Sequence, residues 1–455
     1  MEQISGIELI KKAFKLEPVE RIPWVPFTGV HAAALIGLAA DEYLKSSDHI
    51  VAGTSKAIEL YKADGIPVVF DLQIEAEVLG CELKWDDNSP PSVISHPLLN
   101  GISIDDLQIP CACKGRIPAV MDATRKLRDL HPGVALYGLI TGPFTLALHL
   151  LGTDIFMKMF EEPDDIHKLM RFTTDMGKMM SSQYIQAGCD VIAMVDPMTS
   201  QIDPDSFEMF VTPYANELFD YVRENQALGS FFVCGNAIQN IEAMCRCKPD
   251  NISIDENIPL DYVRDTSLAH GISFGGNIKL TVSLLMGSQD DCRRDALSCM
   301  DTGGKQGFIL APGCDLAFDT PPENLMAVAE LVYDEMLQGE LRASAATAES
   351  VELLDLSNHW HNSKVVIDVI TLDSGSCAPC QYMVNAVERA AGTFADNVIT
   401  TEHKITSKQG IQMMASLGVK NLPTIVIDGN IEFISQIPPV ERIADKISEY
   451  LAKKG

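Results

Sequence analysis

Between Ser230 and Asp315 one arrangement repeats: a short apolar run ends in small or polar residues, and a helical stretch follows. Phe231-Phe232-Val233 stops at Cys234-Gly235-Asn236, and Ile252-Ser253-Ile254 stops at Asp255-Glu256-Asn257. Ile272-Ser273-Phe274 runs into Gly275-Gly276-Asn277, and Phe308-Ile309-Leu310-Ala311 runs into Pro312-Gly313-Cys314-Asp315. Short apolar runs bounded by such residues are buried strands. Strand alternating with helix predicts a parallel sheet with right-handed crossovers. In a closed (β/α)8 barrel the carboxyl ends of all strands share one mouth, where chemistry is built. Cys234 and Cys314 stand at two such ends, so two thiols distant in sequence would face each other across one pocket.

Earlier segments extend the pattern. Trp24–Gly29, Gly65–Phe70, Val134–Ile140 and Val191–Val195 read as strands, with His31 just past the first and Asp71 and Asp196 just past the second and fourth. After Cys314, Pro321-Pro322 open a helix running to about Leu337. Residues 340–363 are rich in alanine and serine with few apolar anchors, and a new apolar strand begins at Lys364. The expected organisation is therefore a TIM barrel over residues 1–339, a linker over 340–363 and a small α/β domain over 364–455.

Charge narrows the function. The net charge is −28, and most of the acidity lies in the barrel, because residues 364–455 carry 9 basic and 10 acidic side chains. A body this acidic argues against nucleic acid or an anionic membrane as partner. The first residues are charged throughout and lack the apolar core of a signal peptide, and no apolar run is long enough to span a bilayer. Twelve cysteines in a chain of this size, without secretory features, read as thiols in a reducing cytoplasm.

The clearest local motif is Cys377-Ala378-Pro379-Cys380, set between a strand and a helix. A thiol at a helix N-terminus is favoured as thiolate, and a second cysteine three residues on can resolve a mixed disulfide. Cys377 and Cys380 are thus the redox candidates. Leu422-Pro423-Thr424 leads a later strand, and together these stretches resemble the thioredoxin fold. The resemblance departs at Ala378 and at Ser376, where thioredoxins usually carry Gly and Trp.

In the barrel, Asp71, Asp196, Asp255 and Glu256 end strands and make the mouth acidic. Asp196 and Asp255 are the catalytic candidates there, although aspartate at such positions often only caps the next helix or turn. Cys234 and Cys314 are metal-ligand candidates, because soft thiolates with an open position suit catalytic zinc. Asp71-Leu72-Gln73-Ile74-Glu75, Thr141-Gly142-Pro143-Phe144, Asp196-Pro197, Val233-Cys234-Gly235-Asn236 and Ala311-Pro312-Gly313-Cys314 carry a wider resemblance. The barrel resembles the uroporphyrinogen decarboxylase superfamily, and within it the methylcobamide:coenzyme M methyltransferase branch. That branch implies a methyl-Co(III) corrinoid on a separate corrinoid-binding protein as donor, a thiol such as coenzyme M or a folate as acceptor, and zinc held by His-x-Cys and a distant Cys. The cysteines match Cys234 and Cys314, but Phe232 stands at the histidine position. His31 is the first candidate for a replacement ligand, followed by Asp196 and Asp255. Decarboxylation of a porphyrinogen fits less well, since the segment Pro23–His31 lacks the arginine that would hold a polycarboxylate.

Overall fold

The computed structural model describes residues 4–343, 353–357, 359–360, 363–375 and 377–454. It divides into two compact units, Met1–Ala343 and Ser344–Gly455.

In the first unit the apolar runs form parallel strands. The main sheet comprises β1 (Gly65–Pro67), β4 (Ala135–Thr141), β5 (Val191–Val195), β6 (Leu228–Val233), β7 (Asn251–Ile254), β8 (Ser273–Ile278) and β9 (Phe308–Pro312), bonded in that order. Two short strands, β2 (Leu83–Lys84) and β3 (Ser92–Val93), pair antiparallel in an excursion after β1. Helices such as Pro163–Ala187, Thr212–Glu224 and Gln289–Gly303 connect the main strands. Alternate residues of the strands point into one core, where Tyr137 and Leu139 meet Val191, Ala193, Val195, Phe232, Ile309 and Ala311. On β6 to β8 the inward layer is polar and internally satisfied. Ser230 donates to Asn251 Oδ1 at 2.8 Å, and Asn251 Nδ2 donates to Ser273 at 2.7 Å.

Trp24–Gly29 does not form the full strand its pattern suggests. Pro23 and Pro26 have no N–H to give a ladder, so pairing is confined to a bridge between Trp24 and Leu310. That bridge nonetheless joins the two edges of the sheet. Val25 N–H donates to Leu310 O at 2.9 Å, and Leu310 N–H donates to Pro23 O at 2.9 Å. On the other side Asp64 N–H donates to Trp24 O, and Trp24 N–H donates to the Asp64 carboxylate, both at 2.9 Å. The layout is TIM-barrel-like. Helix Gly6–Phe14, capped by Ser5 and Glu8, lays Leu9, Ile10, Ala13 and Phe14 on the core, with Ile7 N–H bonded to Gly133 O just before β4. Gly6 permits this approach, since a Cβ there would lie 2.3 Å from Asp64 O.

The second unit has a four-stranded sheet in the order β11 (Val398–Lys404), β10 (Val365–Thr371), β12 (Thr424–Ile427), β13 (Asn430–Ile434). β10 is parallel to β11 and antiparallel to β12. Val365, Ile367 and Val369 face helices Ala378–Ala391 and Val440–Lys454, whereas Ile370 faces helix Lys408–Ser416. The Leu422–Pro423 peptide is cis. Leu354 and Leu356, within the span expected to be linker, pack on the Ile370 face. No helix among the described residues is long and apolar enough to cross a membrane.

Candidate active site at the carboxyl ends of the strands

Cys234 directly follows β6 and Cys314 follows β9 by two residues, so the barrel brings the distant pair together. Their Cα atoms are 6.0 Å apart and the structure joins them as a disulfide. The sulfurs are partly buried on the barrel core. Below them Phe232 packs 4.9 Å from Phe27 and 5.7 Å from Phe70, ring centre to ring centre. The loops that carry the cysteines are pinned by backbone donors. Gly235 N–H donates to Asp255 Oδ2 at 2.9 Å, Gly313 N–H to Ile278 O at 2.9 Å, and Gly29 N–H to Asp315 Oδ1 at 2.8 Å.

The carboxylates at the mouth have distinct tasks. Asp196 accepts from Phe144 N–H at 3.1 Å, Thr145 N–H at 2.8 Å and the Thr145 hydroxyl at 2.6 Å. It therefore anchors the start of helix Pro143–Leu151, and a Cβ on Gly142 would strike it at 2.2 Å. Burial pushes its pKa up to about 6 against those bonds. Asp255 spends one oxygen on Gly235 and the other on Asn257 N–H at 2.9 Å. Both catalytic candidates thus have their oxygens committed to holding the mouth in shape. Glu75, which the sequence leaves as one acid among many, accepts from Thr141 N–H at 3.0 Å and its hydroxyl at 2.9 Å, and burial raises it to about 7.

Glu256 differs from these. It is half-buried, and one oxygen accepts from Leu280 N–H. Its backbone nitrogen lies 2.7 Å from where a Gly313 Cβ would stand, so it backs onto the loop carrying Cys314. Burial first, and Asp255 beside it second, push its pKa up to about 8.

His31 is fully buried. Its Nε2 shares a 2.6 Å hydrogen bond with the Tyr61 hydroxyl and its Nδ1 lies 3.2 Å from Phe318 O. Both ring nitrogens have protein partners, and burial lowers the pKa to about 4. This ring braces the segment after Trp24–Gly29.

Residues 6–334 match the family model described as uroporphyrinogen decarboxylase (URO-D). The chain belongs to the uroporphyrinogen decarboxylase family. Among similar members of the family, the methylcobamide:CoM methyltransferase MtbA of Methanosarcina acetivorans is 26% identical over 341 residues, covering 72% of this chain and 98% of the relative. A uroporphyrinogen decarboxylase of an Anaeromyxobacter species is 25% identical over 343 residues, covering 71% and 97%. A solved methyltransferase structure from Methanosarcina mazei superposes with a TM-score of 0.67 at 25% identity, covering 72% of this chain and 98% of that one.

Zinc, which the resemblance of this uroporphyrinogen decarboxylase family member to the methyltransferase branch implies, does not fit the residues at the mouth. A catalytic zinc site needs three protein ligands, and Cys234 and Cys314 supply only two even when reduced. Phe232 cannot coordinate, and neither nitrogen of His31 is open. Among the described residues, the one group of three His, Cys, Asp or Glu ligand atoms mutually within 4.8 Å lies in the second unit. Phe232→His tests the point. The substitution takes an apolar ring out of an aromatic cluster, so we expect a stability loss of about 1–3 kcal/mol by urea unfolding. In reduced protein it should also raise zinc content by dialysis. Zinc binding by reduced wild type equal to that of the variant would show that Phe232 is not the reason.

Proposed function

We propose that the barrel transfers a methyl group from a methyl-Co(III) corrinoid, carried on a separate corrinoid-binding protein, to a small thiol. The observation that carries this reading is the similarity to MtbA along the whole barrel, with a sulfur pair at two strand ends of the mouth. The Co–C bond breaks and its electron pair stays on cobalt as Co(I). A new S–C bond forms to the acceptor, whose proton passes to a protein base. Glu256 is the group suited to that proton, because it backs onto the loop carrying Cys314 at the mouth, and burial and the neighbouring Asp255 raise its pKa toward the range of a thiol. Decarboxylation of a porphyrinogen draws no support from the N-terminal segment. Arg21, just upstream, is committed to Asp64 at 2.5 and 2.6 Å and to Tyr333 at 2.9 Å.

The second unit fits a thioredoxin-like dithiol module. Its sheet order and the placement of Cys377 at the start of helix Ala378–Ala391 support that reading. Cys380 N–H donates to Cys377 Sγ at 3.4 Å, so the Cys377 side chain caps the helix. Co(I) is destroyed by oxidants, so an attached reductant in a reducing cytoplasm is chemically coherent with corrinoid chemistry.

The misfit of zinc favours a second reading, in which the barrel binds a corrinoid protein without transferring its methyl group. The two separate in one assay. Full-length reduced protein, kept anaerobic, should demethylate methylcobalamin in the presence of a thiol acceptor such as coenzyme M, and faster with a cognate corrinoid protein. Binding of the corrinoid protein without demethylation would support the second reading, and turnover with a folate but no thiol would correct the acceptor. Neither binding nor turnover would remove both.

A further inference from the structure

The second unit holds a cluster that neither methyl transfer nor dithiol exchange uses. Asp368 is fully buried in the middle of β10, on the face away from helices Ala378–Ala391 and Val440–Lys454. A carboxylate in such a place is costly unless it is paired. Two imidazoles from separate segments converge on it. In the β10–β11 register Asp368 stands opposite Thr401, so His403 lies two residues on along the same face. Its Nε2 is 2.8 Å from Asp368 Oδ1. His359 Nε2 lies 3.0 and 3.1 Å from the two carboxylate oxygens, and Trp360 Nε1–H donates to Oδ2 at 3.3 Å.

We propose that His359, Asp368 and His403 form a binding site for a divalent transition-metal ion, with zinc the best match. Their ligand atoms all lie within 4.8 Å of one another. Two imidazole nitrogens and a carboxylate oxygen are a donor set that zinc takes, and three protein ligands leave one position for water. Both imidazoles already present Nε2 to the same point. Trp360 holds the second carboxylate oxygen, as the outer partner of a metal-bound carboxylate does. His359 is 29% exposed, which gives an ion a way in, while His403 is 10% exposed and Asp368 is sealed. On binding, each Nε2 gives its lone pair to the metal and the ring proton resides on Nδ1. Any proton shared between imidazole and carboxylate leaves for solvent. A plain hydrogen-bonded network would use the same contacts, and metal dependence tells the two apart.

The test uses the full chain, with Zn2+ and Co2+ as probes. Wild type equilibrated with micromolar Zn2+ and then gel-filtered should retain one equivalent more than His359→Gln, His403→Gln or Asp368→Asn. Each of these should weaken affinity at this site at least about tenfold. The Co2+ form should lose visible d–d absorption in the variants but keep any thiolate-to-cobalt charge-transfer band, which belongs to the cysteines. His359 is partly exposed and outside the strands, so His359→Gln keeps the reading secure if Asp368→Asn fails to fold, with circular dichroism as the check. Equal metal content and equal cobalt spectra in wild type, His359→Gln and His403→Gln would overturn the site and leave a hydrogen-bonded network.

Discussion

Glu256→Gln should slow methyl transfer about 100-fold while leaving the fold intact. Glutamine keeps an oxygen for Leu280 N–H, so the loop beside Cys314 stays anchored. What it loses is the ability to take a proton. With a pKa of about 8, set by burial first and by Asp255 second, Glu256 is largely protonated at neutral pH and becomes a base as pH rises. Methylcobalamin demethylation by wild type should therefore climb with pH through about 8. In the variant the remaining rise should follow ionisation of the acceptor thiol alone and shift when thiols of different pKa are compared. The loss should fall on kcat rather than KM. A variant with wild-type rate and profile would mean that the proton leaves by another route.

The second large effect concerns stability. Arg116 is 7% exposed and pairs with Asp71, which is wholly enclosed, while its Nε donates to Glu77 at 2.7 Å. Arg116→Met should cost about 3–5 kcal/mol, because it leaves a buried carboxylate without its cation. Lys126→Met is the control. Lys126 is 43% exposed and pairs with Asp48 and Asp122 near the surface, so its removal should cost under about 1 kcal/mol. Urea unfolding of the two variants measures the difference. If Arg116→Met is no worse than the control, the pair contributes nothing and Asp71 must be satisfied by other means. Asp71 also adds to the raised pKa of Glu75, so the same variant should disturb the mouth before it unfolds the barrel.

Much of the barrel was legible because parallel strands are buried on both faces and appear as unbroken apolar runs. Val191–Val195 and Phe308–Pro312 were readable in that way, and the meeting of Cys234 with Cys314 followed from strand ends alone. Trp24–Gly29 misled for a local reason, since its apolar content is that of a strand while its prolines remove the donors of a ladder. The candidate ligand His31 and the candidate catalysts Asp196 and Asp255 sit where a barrel places functional groups. Sequence could not show that their polar atoms are taken by Tyr61, Thr145 and Gly235. Arg116 gave no signal, because a charged residue in a stretch of loop is indistinguishable from surface until its partner Asp71 is known to be enclosed. His359 and His403 were equally silent. They meet at Asp368 only through the register of two strands and the return of residues 354–360 onto the sheet.

The bridge between Trp24 and Leu310 sets the order in which this protein can fold during synthesis. Val25 and Leu310 are separated by 285 positions in the sequence, yet they share a hydrogen bond that unites the sheet's two edges. Until β9 has left the ribosome, the strands from β1 to β8 have no neighbour at one margin, and the Trp24 backbone has its Asp64 hydrogen bonds but lacks the bridge to Leu310. A nascent chain stalled before Leu310 should therefore be an open, adhesive sheet exposed to aggregation. The second unit is made afterwards, and its parallel partners β10 and β11 lie only about thirty residues apart, so late emergence costs it little. For expression, slow translation through the first unit favours chaperone capture, and truncations ending just short of β9 should be insoluble even though they retain most of the barrel.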